Sequence, residues 1–453
     1  MSDRAADAAQ LRTLLAAQPN DRVAWHNLAA AEGDLRRAAE SEFAARRAIA
    51  LGIAAPETRL VLARALQSQH KLDEAESMFK KAIALRPAYV EAHRDLAQLV
   101  WMRSGRADYA LRKLEQALRD APYQPGLHLV KATVLEFAGD IAAALAAAAE
   151  GLARAPDHIV LLLRSAHLHA LAGDAQQALA LAERAARLAP ANPATQVGMC
   201  EALLAAGRVV EAEAHAERLC AAQPLNQYAI ALRTTAWRLS GNARYASFCD
   251  YPSLVDAQLL DTPRGWASLD DFLIALAAEL GGLHSFRTHP LDQSVRGGSQ
   301  LTLQPSELAR PLITALFDSI RISVQRFITK LGAGDDPVRV RNAGGAAISG
   351  AWSVRLASGG HHADHVHPHG WLSSACYIDL PPTIGAGATP QDRAGWLRFG
   401  RPGFATQPPL AADHFVQPTP GLLVLFPAYM WHGVEPFESD HARLSVAFDV
   451  VPA

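Results

Sequence analysis

The apolar positions of this 453-residue chain change period part of the way along. Up to about residue 245, Ala and Leu recur at helical spacing with Arg and Glu between them, which predicts amphipathic helices. Three residue series keep one beat there. Prolines stand at Pro87, Pro122, Pro156, Pro190 and Pro224, the last three intervals being 34 residues each. Glycines at Gly105, Gly139, Gly173, Gly207 and Gly241 are again 34 apart, and Ala75, Ala110, Ala144, Ala178 and Ala212 run in phase. Each glycine falls where two helices must turn tightly, a position that suits a left-handed residue. Each proline closes the second helix of a pair, because it has no N–H to continue the ladder. Each alanine lies where paired helices approach most closely and a larger side chain would part them.

One such pair cannot bury its own apolar face, so neighbours stack into a superhelix. The pattern resembles the tetratricopeptide repeat, in about six units over residues 21–240, with 12–52 more degenerate, as capping units are. The resemblance implies an all-α solenoid over residues 1–245. It also implies a concave groove that holds a peptide or partner protein; a spacer or oligomerisation scaffold is the plainer alternative, and the oligomeric state stays open.

Beyond residue 245, Gly, Pro, His, Ser and aromatic residues rise. A helix is expected over 269–280, then a loop with paired glycines, HPLDQSVRGGSQ, over 289–300. One long helix is expected over 305–331, where Leu308, Leu312, Ile313, Leu316, Ile320, Val324, Phe327 and Ile328 share a face. From Trp352 on, the runs WSVRL, SSACYIDL, GWLRFG, GLLVLFP and RLSVAFDVV have β composition and are broken by Gly, Pro, Asp and His. That is the pattern of an antiparallel barrel or sandwich.

Composition narrows the function classes. Half the residues are apolar, 19% are charged and the formal net charge is −2, so neither a basic excess for nucleic acid nor an acidic tail is present. No apolar run is long enough for a membrane, and MSDRAADAAQ lacks the features of a signal peptide. Cys200, Cys220, Cys249 and Cys376 are scattered without a CxxC pair. Buried spectators in a reducing cytoplasm is the expected reading.

The chemistry lies in the histidines. Five of the chain's eighteen fall in one nine-residue stretch: His361, His362, His365, His367 and His369. His432 follows GLLVLFP, and Arg443-Leu-Ser445 stands eleven residues further on. Two imidazoles one residue apart on a strand point to the same side. A third from a distant strand completes one face of a metal and leaves positions for co-substrate and oxygen. Arg443 can grip a carboxylate bidentately, with the Ser445 hydroxyl beside it.

These residues resemble the iron(II)/2-oxoglutarate oxygenases that are often fused to tetratricopeptide repeats. The resemblance is carried by His365-Val-His367-Pro368 running through Ser373-Ser374 to Tyr377, by Phe426-Pro427…His432, by Arg443-x-Ser445, and by SVRGGSQ upstream. It covers nearly all of residues 246–453 and implies a double-stranded β-helix (jelly-roll, cupin-like) domain with flanking helices, its core at about 350–453. It implies iron(II) held by His365, His367 and His432, and 2-oxoglutarate held by Arg443 and Ser445 with Tyr377 in reach. Ascorbate is a candidate auxiliary. The implied activity is hydroxylation of a protein or peptide recruited by the repeats. In the wider superfamily the first two ligands are His-x-Asp or His-x-Glu. A literal His-x-Asp, His362-Ala-Asp364, precedes the His365/His367 pair here, and strand alternation excludes using both without a bulge. His362 and Asp364 are therefore alternative ligands. A three-histidine cupin-like protein that uses no 2-oxoglutarate, and a repeat adaptor without catalysis, are the rival readings. Trp371, Trp396 and Trp431 are expected around the barrel mouth.

Overall fold

The computed structural model describes residues 2–384 and 392–453, with the side chains of residues 2 and 3 left aside. Its contacts divide the chain into two compact units, residues 1–155 with 304–306, and residues 156–303 with 307–453. The fold is an N-terminal helical solenoid followed by an antiparallel, nearly barrel-like domain, as expected.

In the first unit, helices run in pairs such as Pro56–Ser68 with Leu72–Leu85, and Pro125–Phe137 with Ile141–Arg154. The repeat logic holds residue by residue across the chain. Gly105, Gly139, Gly173, Gly207 and Gly241 all have φ between 69° and 85°, in the left-handed region where a Cβ would be strained. Ala75, Ala110, Ala144, Ala178 and Ala212 are each at most 4% exposed, as close helix contact requires. Regular helices Ser2–Ala17 and Arg22–Asp34 precede these pairs.

In the second unit, the repeat helices Ile159–Leu171 to Gln227–Ser240 and the sheet share one apolar core, running from Ala166 through Leu232 to Val450. Polar contacts tie them as well. Trp431 Nε1 donates to Thr235 Oγ1 at 2.9 Å, Arg238 Nη1 to the Gly400 carbonyl at 2.9 Å, and Gln407 N to the Leu204 carbonyl at 3.0 Å. Among the described residues no helix is long and apolar enough to cross a membrane, and all four cysteines are free.

The strands are β1 (Asp256–Leu259), β2 (Val295–Thr302), β3 (Ala346–His365), β4 (Leu372–Asp379), β5 (Leu397–Phe399), β6 (His414–Val416), β7 (Leu422–Pro427), β8 (His432–Val434) and β9 (Arg443–Pro452). They pair antiparallel in the order β1-β7-β4-β9-β3-β8-β5-β6, with β2 on β3. The 20-residue β3 holds the domain together: its first half pairs with β9, its last residues with β8, and β2 lies along its other edge.

Two expectations need correction. Past Ser294, the stretch VRGGSQ is strand rather than loop. A Cβ on Gly298 would run into the Arg355 carbonyl and stand 2.9 Å from Leu356 Cα, so only glycine lets β2 lie this close to β3. The helix expected over 305–331 is broken into Pro305–Leu308 and Pro311–Leu331. Pro311 has no N–H, and Arg310 before it is extended at ψ 138°. The longer piece buries Ile313, Leu316, Ile320, Val324, Phe327 and Ile328, with Phe317 edge-on to Phe448 of β9.

Candidate metal centre

Strand register brings the histidines together. His365, the last residue of β3, pairs directly with His432, the first of β8, and cross-strand neighbours have touching side chains. Their ring centroids are 4.2 Å apart. His367 lies just past the strand in a turn fixed by its N–H on the Ala428 carbonyl (3.0 Å), and its Nε2 is 3.2 Å from that of His365. Among the described residues, these three form the metal-competent group, one donor atom of each lying within 4.8 Å of the others. His432 packs edge-on to Phe426 at 4.6 Å and is 5% exposed.

The other nitrogen of each ring is already engaged. His365 Nδ1 lies 2.9 Å from the Ala363 carbonyl, His432 Nδ1 2.9 Å from the Met430 carbonyl, and His367 Nδ1 2.7 Å from Asp449 Oδ1. Carbonyl and carboxylate oxygens only accept, so each Nδ1 carries a proton and each Nε2 is the atom left to face a metal. Burial, and then the neighbouring rings, hold His432 well below the usual imidazole range and His365 down to about 3, so both are neutral. The neutral His365 ring turns its Nε2 lone pair toward His367 Nε2 at 3.2 Å, a spacing that one shared cation would suit. Ligands about 2.1 Å from one metal at angles of 90–110° are about 3.0–3.4 Å apart, so the donor set suits a metal of the iron or zinc kind.

The alternative pair has another employment. Asp364 receives Arg398 Nε at 2.8 Å and Arg401 Nε at 2.6 Å, with Arg398 Nη1 also 3.3 Å from Glu435. Its carboxylate is neutralised by two guanidiniums and does not join the histidine cluster. His362 does face the cavity, because a bulge between His362 and His365 resets the alternation. Its Nδ1 is 3.0 Å from Ser294 Oγ, and its ring is near-parallel to that of His365 at 5.9 Å, outside the three-donor group.

Beside the histidines lies a cavity of about 470 Å³. Alternation along β9 sends Arg443, Ser445, Ala447 and Asp449 into it, and Val354, Phe426 and Val434 give it apolar walls. Arg443 is 1% exposed. No carboxylate among the described residues pairs with it; Nη1 reaches Ser445 Oγ at 3.4 Å and Nε has no partner. Burial pulls its pKa down. An unpaired guanidinium in such a place is costly, so the site is complementary to an anion. Tyr377 is not on the cavity wall. It pairs with Ser445 across β4 and β9 and supports Arg443 from beneath, the guanidinium standing 4.9 Å from its ring centroid.

The tryptophan expectation also changes. Trp352 lines the cavity, 6.2 Å from the His367 ring, whereas Trp371 is tied to the Val338 carbonyl and Trp431 to the repeat helix Gln227–Ser240. Trp396 lies off the cavity wall as well. Sequence reasoning does not single out Asp449, Arg398 or Asp292. For Asp449 a signal exists: it stands at an even offset from Arg443 and Ser445 on a strand already assigned to the site. Nothing local marks Arg398.

Residues 350–449 match the family model described as "Putative 2OG-Fe(II) oxygenase". Residues 169–235 and 56–89 match tetratricopeptide-repeat models. No curated protein matches. Among solved structures, similar chains include the Cut9–Hcn1 hetero-tetramer of the APC/C, at 14% identity over 51% of this chain and 46% of that one, with TM-score 0.37. This chain thus spans under half of that relative. Others are Pseudomonas aeruginosa pilF (15% identity, 45% of this chain and 92% of that one, TM-score 0.35) and TTC0263 of Thermus thermophilus (22%, 41% and 99%, TM-score 0.32). The chain therefore combines tetratricopeptide repeats with a segment that matches the model of a putative 2OG-Fe(II) oxygenase domain.

Proposed function

We propose that the C-terminal domain is an iron(II)- and 2-oxoglutarate-dependent oxygenase that hydroxylates a protein or peptide recruited by the repeats. One observation carries this reading: three imidazoles converge in the cavity where Arg443, buried and without a carboxylate, awaits an anion. His365, His367 and His432 would hold the metal through Nε2. When bound, iron(II) and 2-oxoglutarate supply oxidative decarboxylation to succinate coupled to hydroxylation of a C–H bond.

The chain's own residues do the rest. The carbonyls of Ala363 and Met430 and the Asp449 carboxylate fix ring tautomer and orientation before any metal arrives. Arg443 and Ser445 would bind the far carboxylate of the co-substrate, and the guanidinium's desolvation, already incurred in folding, makes that contact stronger than at a surface. Val354, Phe426 and Val434 keep water from the reacting end. The free thiols accord with a reducing compartment, and we place the protein in the cytoplasm.

The test is succinate formation from 2-oxoglutarate with iron(II) and ascorbate under air. Absence of turnover, together with unaltered 2-oxoglutarate binding in Arg443→Ala, would overturn the reading. The all-nitrogen donor set favours one rival, a three-histidine metalloprotein that uses no 2-oxoglutarate. Calorimetric titration of 2-oxoglutarate into metal-loaded protein separates the two, since only the oxygenase binds it through Arg443.

A further inference from the structure

The segment that leads into β2 takes no part in holding metal or co-substrate, yet it forms the cavity's rim. Asp292, Gln293, Ser294 and Gln300 all line the cavity. The segment is held firmly. Ser294 grips β3 twice, through its hydroxyl to His362 Nδ1 at 3.0 Å and its carbonyl to the Ala363 N–H at 2.8 Å. Gly297, at φ 65°, and Gly298 let the chain close onto β3 immediately afterwards. Asp292 itself has φ 56°, a left-handed conformation that few residues other than Gly, Asn and Asp adopt. The result is a carboxylate in a fixed position at the opening.

Only two carboxylates line the described part of the cavity, Asp292 and Asp449. Asp449 is committed to His367 and to Ser373, whose hydroxyl is 3.1 Å away. Asp292 has 56% of its side chain exposed, and it forms an ion pair with Arg164 Nη2 at 3.2 Å, from the repeat helix Ile159–Leu171. A guanidinium therefore already rests on this carboxylate at the rim. An ion pair with so exposed an acid is weak and exchangeable.

Resting on the oxygenase reading, we infer that Asp292 selects a substrate bearing a positive charge, an arginine or lysine side chain of a peptide, and that Arg164 is the internal cation which the substrate displaces. The charges of the cavity agree with this. Its deep end presents Arg443 and repels a cation, so a basic side chain is favoured only at the rim. Arg164 serves the opposite case. By neutralising Asp292 while no substrate is bound, it lets the dianionic co-substrate pass a rim that would otherwise repel it. Co-substrate first and basic substrate second is the order this arrangement favours.

The test uses the full-length protein and two random-sequence peptide pools, one with a fixed central arginine and one with citrulline, its neutral near-isostere. Binding is measured by fluorescence anisotropy without metal, co-substrate or oxygen. The arginine pool should bind roughly threefold to tenfold more tightly. Asp292→Asn, which keeps the left-handed conformation, should abolish that preference, and Arg164→Gln should increase it. Equal binding of the two pools, including binding of neither, overturns the inference, as does a preference that survives Asp292→Asn. Failure of the oxygenase reading would appear separately, as absence of succinate formation, and would leave this comparison standing.

Discussion

Replacing Asp449 by asparagine removes one charge behind His367 and almost no volume. The carboxylate accepts from His367 Nδ1 at 2.7 Å and from Ser373 Oγ at 3.1 Å, and its side chain is 14% exposed. A hydrogen bond to a charged acceptor contributes about 1.5–3 kcal/mol and a neutral one about 0.5–1.5. The difference, about 1–1.5 kcal/mol, is the stabilisation lost by the positive end of the imidazole when a cation binds Nε2. Metal affinity should therefore fall about 5- to 12-fold, at the low end of the usual effect of such outer partners. Asp449→Ala also leaves Nδ1–H unpaired and should reach about 100-fold. The assay is competition for cobalt(II) or zinc(II) against a chromogenic chelator at neutral pH. Asp364→Asn is the informative contrast: it should change metal affinity less than Asp449→Asn but cost about 3–5 kcal/mol of stability, because Arg398, 1% exposed, loses its main partner. Affinity within twofold of wild type for Asp449→Asn, or a larger affinity loss for Asp364→Asn, would refute the assignment of the two carboxylates.

Other outcomes follow from the same geometry. Arg443→Met should weaken 2-oxoglutarate binding at least about 100-fold in calorimetry while leaving the thermal midpoint unchanged or higher, since a buried charge without a carboxylate partner is removed; a lowered midpoint would contradict this. A fragment of residues 156–453 should unfold cooperatively on heating, whereas 246–453 should be insoluble because Trp431, Gln407 and the Gly400 turn lose their repeat partners; a well-folded shorter fragment would disprove the shared core. In the metal-free protein, burial and neighbouring rings hold His362, His365 and His432 below the usual imidazole range. The unfolded imidazoles gain protons near pH 6.5 and the folded ones far lower, near 3 for His365. Stability should be complete above pH 6.5 and fall as pH drops below it, by up to about 1.4 kcal/mol per pH unit per histidine; an unaltered urea midpoint between pH 7 and pH 5 would count against neutral, buried rings.

The repeats were legible because their constraints are local. A left-handed turn wants glycine at Gly139 or Gly173, a helix end tolerates Pro156 or Pro190, and a close helix contact wants Ala144 or Ala178, all within one 34-residue unit. The pairing of Arg443 with Ser445 on one face was legible for a related reason: residues two apart on a strand share a face, whatever the strand pairs with. Tertiary structure decided what depends on partners distant in sequence. The His362/His365 bulge arises from pairing with β8, and Asp364 is taken by Arg398 and Arg401 from another strand and the turn beyond it. Asp449 meets His367 only once β9 lies along β3, and Asp292 meets Arg164 only once a repeat helix reaches the barrel. Local periodicity records which face a side chain occupies; which charge waits on that face is set by register between strands and by docking between elements, and neither leaves a mark in neighbouring residues.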